Sequence, residues 1–259
     1  MCIACASYQR KLLYFPQKQS VDEVEQEARG ARLERWRDTT GQAVGLLRRS
    51  RRQPAEGRVL ITYGNGSRAA WCAHYADSLQ QEAAVDVFIL EYPGYADRKG
   101  SPSERSLCEA ADAALELLAA NTNTPVYLLG ESLGTGVASY LAGAHSGNVA
   151  GVVLMAPFNR LTDVAQYHMP LLPVRLLLAD RFDSQERLRN FHGPVAVLVG
   201  GRDPVVPEMF GRRLYDSYNG PKRLWEFPDL DHGTIMDQPP EVWHAIFQFL
   251  RNTGPSGPR

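Results

Sequence analysis

The sequence predicts an α/β protein, with a mostly parallel sheet of about eight strands covered by helices on both faces and topped by a small cap. Three observations carry this. Short apolar runs at 59–63, 85–90, 125–129, 149–155, 194–199 and 223–227 alternate with helical patterns. Several runs stop at turn residues, such as Gly64 and Tyr92-Pro93-Gly94. The chain has 259 residues, 44% hydrophobic and 22% charged, which is an ordinary globular composition with enough length for a large core.

The elements follow in order. Residues 31–37 and 43–49 read as a hairpin around Thr39-Thr40-Gly41-Gln42, giving the sheet an antiparallel edge. The strand at 59–63 leads into a helix through Trp71, Tyr75 and Leu79. After the strand at 85–90, Pro102-Ser103-Glu104 opens a long helix whose Leu107, Ala111, Ala114 and Leu118 share one side. The strand at 125–129 runs into a small-residue helix at 132–144, and helices at 207–218 and 240–251 complete the alternation. Residues 157–193 are longer than a usual crossover and include the strongly apolar 169–178. They read as a cap over a cleft, the plainer alternative being a crossover helix packed on the sheet. The expected organisation is an N-terminal segment (1–29), one domain (30–252) that includes the cap, and a disordered tail (253–259).

Composition removes several classes. A formal net charge of -1 argues against a dedicated nucleic-acid binder. No apolar stretch approaches the roughly 18 residues of a spanning helix. Four cysteines (Cys2, Cys5, Cys72, Cys108) do not make a disulfide framework. Cys2 and Cys5 have no companion histidine pair and Cys72 is far away, so no metal site is expected, and no organic cofactor is implied.

Charge is unevenly spread. Residues 1–60 hold 12 Lys+Arg against 7 Asp+Glu, with Arg48, Arg49, Arg51 and Arg52 the densest basic spot. Such a run is usually a solvated turn; the sharper reading is contact with an anionic membrane surface. The start of the chain has no apolar stretch of the kind a secretory signal needs, and Ile3-Ala4-Cys5 resembles only the tail of a bacterial lipoprotein box. Cys2 and Cys5, near Arg10 and Lys11, are candidates for S-acylation, against the alternative of a frayed start with incidental thiols. The default expectation is a cytoplasmic protein, or a membrane-anchored one if those cysteines are lipidated.

The strongest chemical signal is Gly130-Glu131-Ser132-Leu133-Gly134, set between an apolar strand and a small-residue helix. That context defines a nucleophile elbow, where a serine sits on a tight strand-to-helix turn. A serine hydroxyl needs a base. Of six histidines, His232 alone follows a strand near the chain's end; His74, His145, His168, His192 and His244 fall in helices or beside the cap. The base needs a carboxylate to hold its tautomer. Asp203, in the loop after the strand at 194–199, is the candidate, with Asp163 as fallback and Asp231 poorly placed. The oxyanion donors are expected to be the backbone N–H groups of Leu133 and of Asn65, in Tyr63-Gly64-Asn65-Gly66.

These motifs resemble the α/β-hydrolase fold over about residues 30–250, with the order Ser, Asp, His of that superfamily. Tyr63-Gly64-Asn65-Gly66 resembles the family's His-Gly-x-Gly oxyanion loop. Glu91-Tyr92-Pro93-Gly94-Tyr95, followed by Gly100-Ser101-Pro102-Ser103-Glu104, is similar to a branch that includes membrane-associated acyl-protein thioesterases (depalmitoylases) and lysophospholipase-like relatives. Some members of that branch carry acylated N-terminal cysteines. Tyr63 stands where the pattern has His and Glu91 where it has Asp; the first is expected to reshape the oxyanion loop. The resemblance implies a serine hydrolase acting on an ester or thioester of an acyl-containing small molecule, lipid or acyl-protein. The alternatives are a peptidase-like hydrolase and a catalytically silent binding protein of the same fold.

Overall fold

The computed structural model describes residues 9–120 and 123–253. Their sheet has eight strands: β1 (Glu34–Arg37), β2 (Ala43–Arg48), β3 (Gly57–Thr62), β4 (Val85–Leu90), β5 (Val126–Glu131), β6 (Gly151–Met155), β7 (Val195–Gly200) and β8 (Lys222–Phe227). Their order in space is β1-β2-β4-β3-β5-β6-β7-β8. The hairpin β1–β2 pairs antiparallel, and so does β2 with β4; all other pairs are parallel. This eight-stranded, mostly parallel sheet with an antiparallel hairpin at one edge is the architecture the sequence predicts.

Strands β4, β6 and β7 are buried along their whole length and apolar apart from Asp86 in β4, because both faces of these central strands are covered. The helices are α1 (Val21–Gly30), α2 (Ala73–Glu82), α3 (Glu104–Ala119), α4 (Leu133–Ala144), α5 (Leu161–His168), α6 (Val174–Leu177), α7 (Ser184–Arg187), α8 (Glu208–Ser217) and α9 (Pro240–Thr253). On α9, Trp243, Ile246, Phe247 and Leu250 form one buried stripe at helical spacing. Leu107, Ala111, Ala114 and Leu118 of α3 are all buried, and a reciprocal Ser103–Ser106 capping box begins that helix.

Three features differ from the sequence reading or refine it. Helix α1 was not foreseen, although Ser20-Val-Asp-Glu23 forms a full capping box at its start. Its Val24 and Ala28, with Tyr14 before it, join the same core as the sheet, so this part of the N-terminal segment packs on the domain. Of the segment 157–193 assigned to the cap, residues 182–190 pack on α4 instead. A Cβ on Gly136 would meet the Phe182 ring at 2.8 Å, and one on Gly143 would meet the Arg187 carbonyl at 1.8 Å. Trp71 lies in a 3-10 turn (Ala69–Cys72) and is half exposed, with Arg68 stacked 4.0 Å over its ring and Glu27 accepting from its indole.

The basic spot lies far from the carboxyl ends of the parallel strands. Arg48 ends β2 beside Val87, and Arg52 bonds the carbonyl of Gln80 near the end of α2, both at the entry edge of the sheet. Asp77 pairs with Arg32 and Arg48, and Asp86 with Arg49. Among the described residues, no helix is long and apolar enough to cross a membrane, and no cluster of His, Cys, Asp and Glu is arranged to hold a metal. Cys72 and Cys108 are buried free thiols; Cys2 and Cys5 lie outside the described residues.

Candidate active site

Parallel strands deliver their carboxyl ends to one edge, so the loops after β3, β5, β7 and β8 all open on the same side. Ser132 follows β5, Asp203 follows β7 and His232 follows β8. His232 Nε2 stands 3.0 Å from Ser132 Oγ, and His232 Nδ1 stands 2.7 Å from Asp203 Oδ2. The three residues proposed from sequence are brought together in one hydrogen-bonded line.

Ser132 has φ 48° and ψ -116°, a left-handed conformation that costs a non-glycine residue on the order of 1–3 kcal/mol. Its surroundings impose it. The Ser132 N–H donates to the Met155 carbonyl on β6, and its carbonyl accepts from the Thr135 hydroxyl in the first turn of α4. The flanking glycines are required by close approach. A Cβ on Gly134 would lie 1.9 Å from the Thr62 carbonyl oxygen, and one on Gly130 would lie 2.8 Å from Thr135 Cα.

Asp203 is buried, and both of its carboxylate oxygens are used. Oδ1 accepts from the N–H groups of Val205 and Val206, each at 2.8 Å, while Oδ2 faces the imidazole. A fixed carboxylate at Nδ1 leaves Nε2 as the acceptor for the serine proton. The fallback acid is engaged elsewhere: Asp163 pairs with Arg175 at 2.9 Å and accepts from Asn159. Asp231 accepts from the Thr234 N–H and hydroxyl and from the Gly233 N–H, which holds its carboxyl below the usual range. Among the other histidines, His145 pairs with Asp112, His244 with Glu82, and His168 bonds the Val205 carbonyl.

Leu133 is the first residue of α4, so its N–H has no acceptor within the helix. Asn65 follows β3, the neighbour of β5, which puts its loop beside the elbow. Glu131 links the two: Tyr75 donates to its Oε2 at 3.0 Å, and Gly64 has so little room that a Cβ would lie 2.8 Å from its Oε1. Burial pushes the Glu131 carboxyl above its ordinary range.

The Tyr63 side chain points into the core rather than into the cleft. Its hydroxyl donates to Glu91, which also accepts from the Ala69 N–H at 3.2 Å, and its ring packs with Tyr92 and Tyr95. The two departures from the family pattern are therefore a contact pair beneath the loop that carries Asn65. Each alone is visible in the sequence; their contact, 28 residues apart, is not.

In the 157–193 segment Met169, Leu171, Leu172 and Leu177 are exposed, and His168 ties the segment to the Val205 carbonyl in the loop that carries Asp203. Within the apolar stretch 169–178, Val174 is buried instead.

Comparison with known proteins agrees with this architecture. Residues 59–185 match the family profile described as alpha/beta hydrolase fold. An uncharacterized protein of Mycobacterium tuberculosis is 33% identical over 97% of this chain and 90% of its own length. The lysophosphatidylserine lipase ABHD12 of Danio rerio is 27% identical over 77% of this chain and 59% of its own length. The Pyrococcus furiosus esterase Pf2001 superposes with a TM-score of 0.66 at 16% identity, covering 87% of this chain and 95% of that one. The chain belongs to the α/β-hydrolase family.

Proposed function

We propose that this protein is a serine hydrolase that cleaves a carboxylic ester or thioester through an acyl-enzyme. The observation that carries the reading is the line from Ser132 Oγ through His232 to Asp203, seated on a strained elbow. Ser132 Oγ attacks the acyl carbonyl carbon as His232 Nε2 takes the hydroxyl proton. The carbonyl oxygen becomes an oxyanion held by the N–H groups of Leu133 and Asn65. The bond to the leaving group then breaks, and His232 returns the proton to it. Water attacks the acyl-enzyme by the same relay in reverse and releases the acid.

The acyl class is supported by the exposed apolar side chains of Met169, Leu171, Leu172 and Leu177, in the segment that His168 ties to the Asp203 loop, which offer area to a medium or long chain. The family relation to a lipase points the same way. The proposed partner is thus an acyl-containing small molecule, lipid or acyl-protein. A panel of p-nitrophenyl esters and matching thioesters of graded length tests this. A sharp optimum at medium or long chains is expected; a rate that is flat with length would remove the acyl-chain reading.

Peripheral membrane contact, if it accompanies this activity, is proposed for the N-terminal segment rather than for Arg48–Arg52. The arginines sit at the entry edge of the sheet, so contact through them turns Ser132 away from the surface. Detergent partitioning of the full chain against a Cys2→Ala/Cys5→Ala variant tests it. Identical soluble behaviour would remove it.

A further inference from the structure

The Asn65 side chain is not used where its backbone is. Its Oδ1 accepts from the Phe15 N–H at 3.0 Å and from the Tyr95 hydroxyl at 2.9 Å, and its Nδ2 donates to the Leu13 carbonyl at 2.5 Å. Two of these three bonds go to a stretch of chain 50 residues upstream. That stretch, residues 9–19, runs as a strap from the 157–193 segment past the Asn65 loop to Ala96. At one end Gln9 bonds the Leu177 carbonyl and the Ala179 N–H of the cap. At the other, Gln17 and Gln19 bond the backbone of Ala96.

Between them lies a buried anchor. Asp180 in the cap is 3% exposed. Arg10 meets it with two N–H groups at 3.0 Å, and the buried Tyr14 donates to Oδ2 at 3.0 Å. Among the described residues, both side-chain partners of this carboxylate come from the strap. A buried carboxylate stripped of such partners is strongly unfavourable, so cap and strap hold each other.

The loop that carries Asn65 needs an outside hold. Glycines flank it on both sides, and Gly66 has φ +75°, so the loop's own backbone has wide freedom. An oxyanion donor acts only when it is fixed at the position where charge develops.

We propose that the N-terminal strap positions the oxyanion donor: Asn65 through its side chain, and Tyr14 through Asp180, are positioning residues for hydrolysis. The inference rests on the serine-hydrolase reading. It makes residues 9–19 part of the working site, although they precede the first strand and touch no reacting atom.

The test is kcat and KM on a p-nitrophenyl ester for the full chain, Asn65→Ala and Tyr14→Phe, each normalised to active sites titrated by a burst of acylation, with Ser132→Ala, which forms no acyl-enzyme, as the blank. Asn65→Ala keeps the backbone N–H and loses the three bonds; Tyr14→Phe keeps the ring and loses one. A donor displaced by a fraction of an ångström acts mainly on the transition state. Asn65→Ala should lower kcat per site by about 10–100-fold with KM changed by less than about twofold, and Tyr14→Phe by about 3–10-fold. A purely structural strap would reduce the number of titrated sites and leave kcat per site intact, which overturns the inference. If Asn65→Ala gives no folded protein, Tyr14→Phe decides by the same criterion. Wild type without turnover that depends on Ser132 would overturn the hydrolase reading and the inference with it; active wild type with unchanged kcat per site in both variants overturns the inference alone.

Discussion

The Tyr63 hydroxyl donates to the Glu91 carboxyl beneath the loop that carries Asn65, in a place that solvent does not reach. The pair joins the end of β3 to the end of β4, and the Tyr92 N–H leans on the same hydroxyl at 3.3 Å. Removing one partner leaves a buried polar group without its bond, at a cost of about 1–3 kcal/mol. A double-mutant cycle with Tyr63→Phe and Glu91→Gln should show coupling of about 0.5–3 kcal/mol in urea denaturation. Strict additivity would mean that the two residues support the loop independently.

Glu91 also gives stability a pH dependence. Burial raises its carboxyl from 4.5 to about 7, against the bonds from Tyr63 and Ala69 that favour the charge. An acid whose folded pKa is raised holds its proton more tightly folded than unfolded. Its ionisation therefore disfavours folding progressively from about pH 4.5 up to about pH 7, and the penalty then stays constant. The wild type should lose up to about 3 kcal/mol relative to Glu91→Gln across that window. Urea midpoints for both proteins at pH 4.5 and 7.5 check this; parallel pH profiles would contradict it.

The elbow predicts a contrast between two glycines. Gly134→Ala forces a Cβ against the Thr62 carbonyl oxygen, a backbone atom that has no easy retreat. It should cost about 3 kcal/mol or more and abolish turnover. Gly147→Ala meets nothing within 4 Å and should leave both stability and turnover near wild type. Thermal midpoints and ester hydrolysis distinguish them. Equal behaviour would mean that the elbow is looser than its contacts imply.

Asp203 and Asp163 separate the two acids weighed from sequence. In Asp203→Asn the amide still accepts from Val205 and Val206, but its NH2 faces His232 Nδ1 and imposes the wrong tautomer. kcat should fall by about 10⁴-fold with the fold intact. Asp163→Asn, which touches Arg175 and Asn159, should change kcat by less than about twofold. The reverse order of effects would reassign the acid.

The strands, the mostly parallel character of their sheet and the Ser132, His232 and Asp203 candidates were legible because each signal is local. A strand reads from its own apolar run, and each candidate from the loop directly after one. The rest depends on contacts that leave no local mark. Asn65 reads as a backbone donor, but its side chain serves Leu13 and Phe15, about 50 residues earlier. Asp180 finds Arg10 and Tyr14 across about 170 residues of chain. The 157–193 segment reads as one cap, yet Gly136 and Gly143 of α4 open the space into which residues 182–190 settle. One unread signal was available: Ser20 and Glu23 announce α1.

The central claim is that Ser132 is the nucleophile. Intact-mass spectrometry of the full chain with a fluorophosphonate probe tests it most directly. The account predicts one adduct per chain, mapped to the peptide that carries Ser132, and none in Ser132→Ala. An adduct that persists in Ser132→Ala, or folded wild-type protein that takes up no probe, would contradict it.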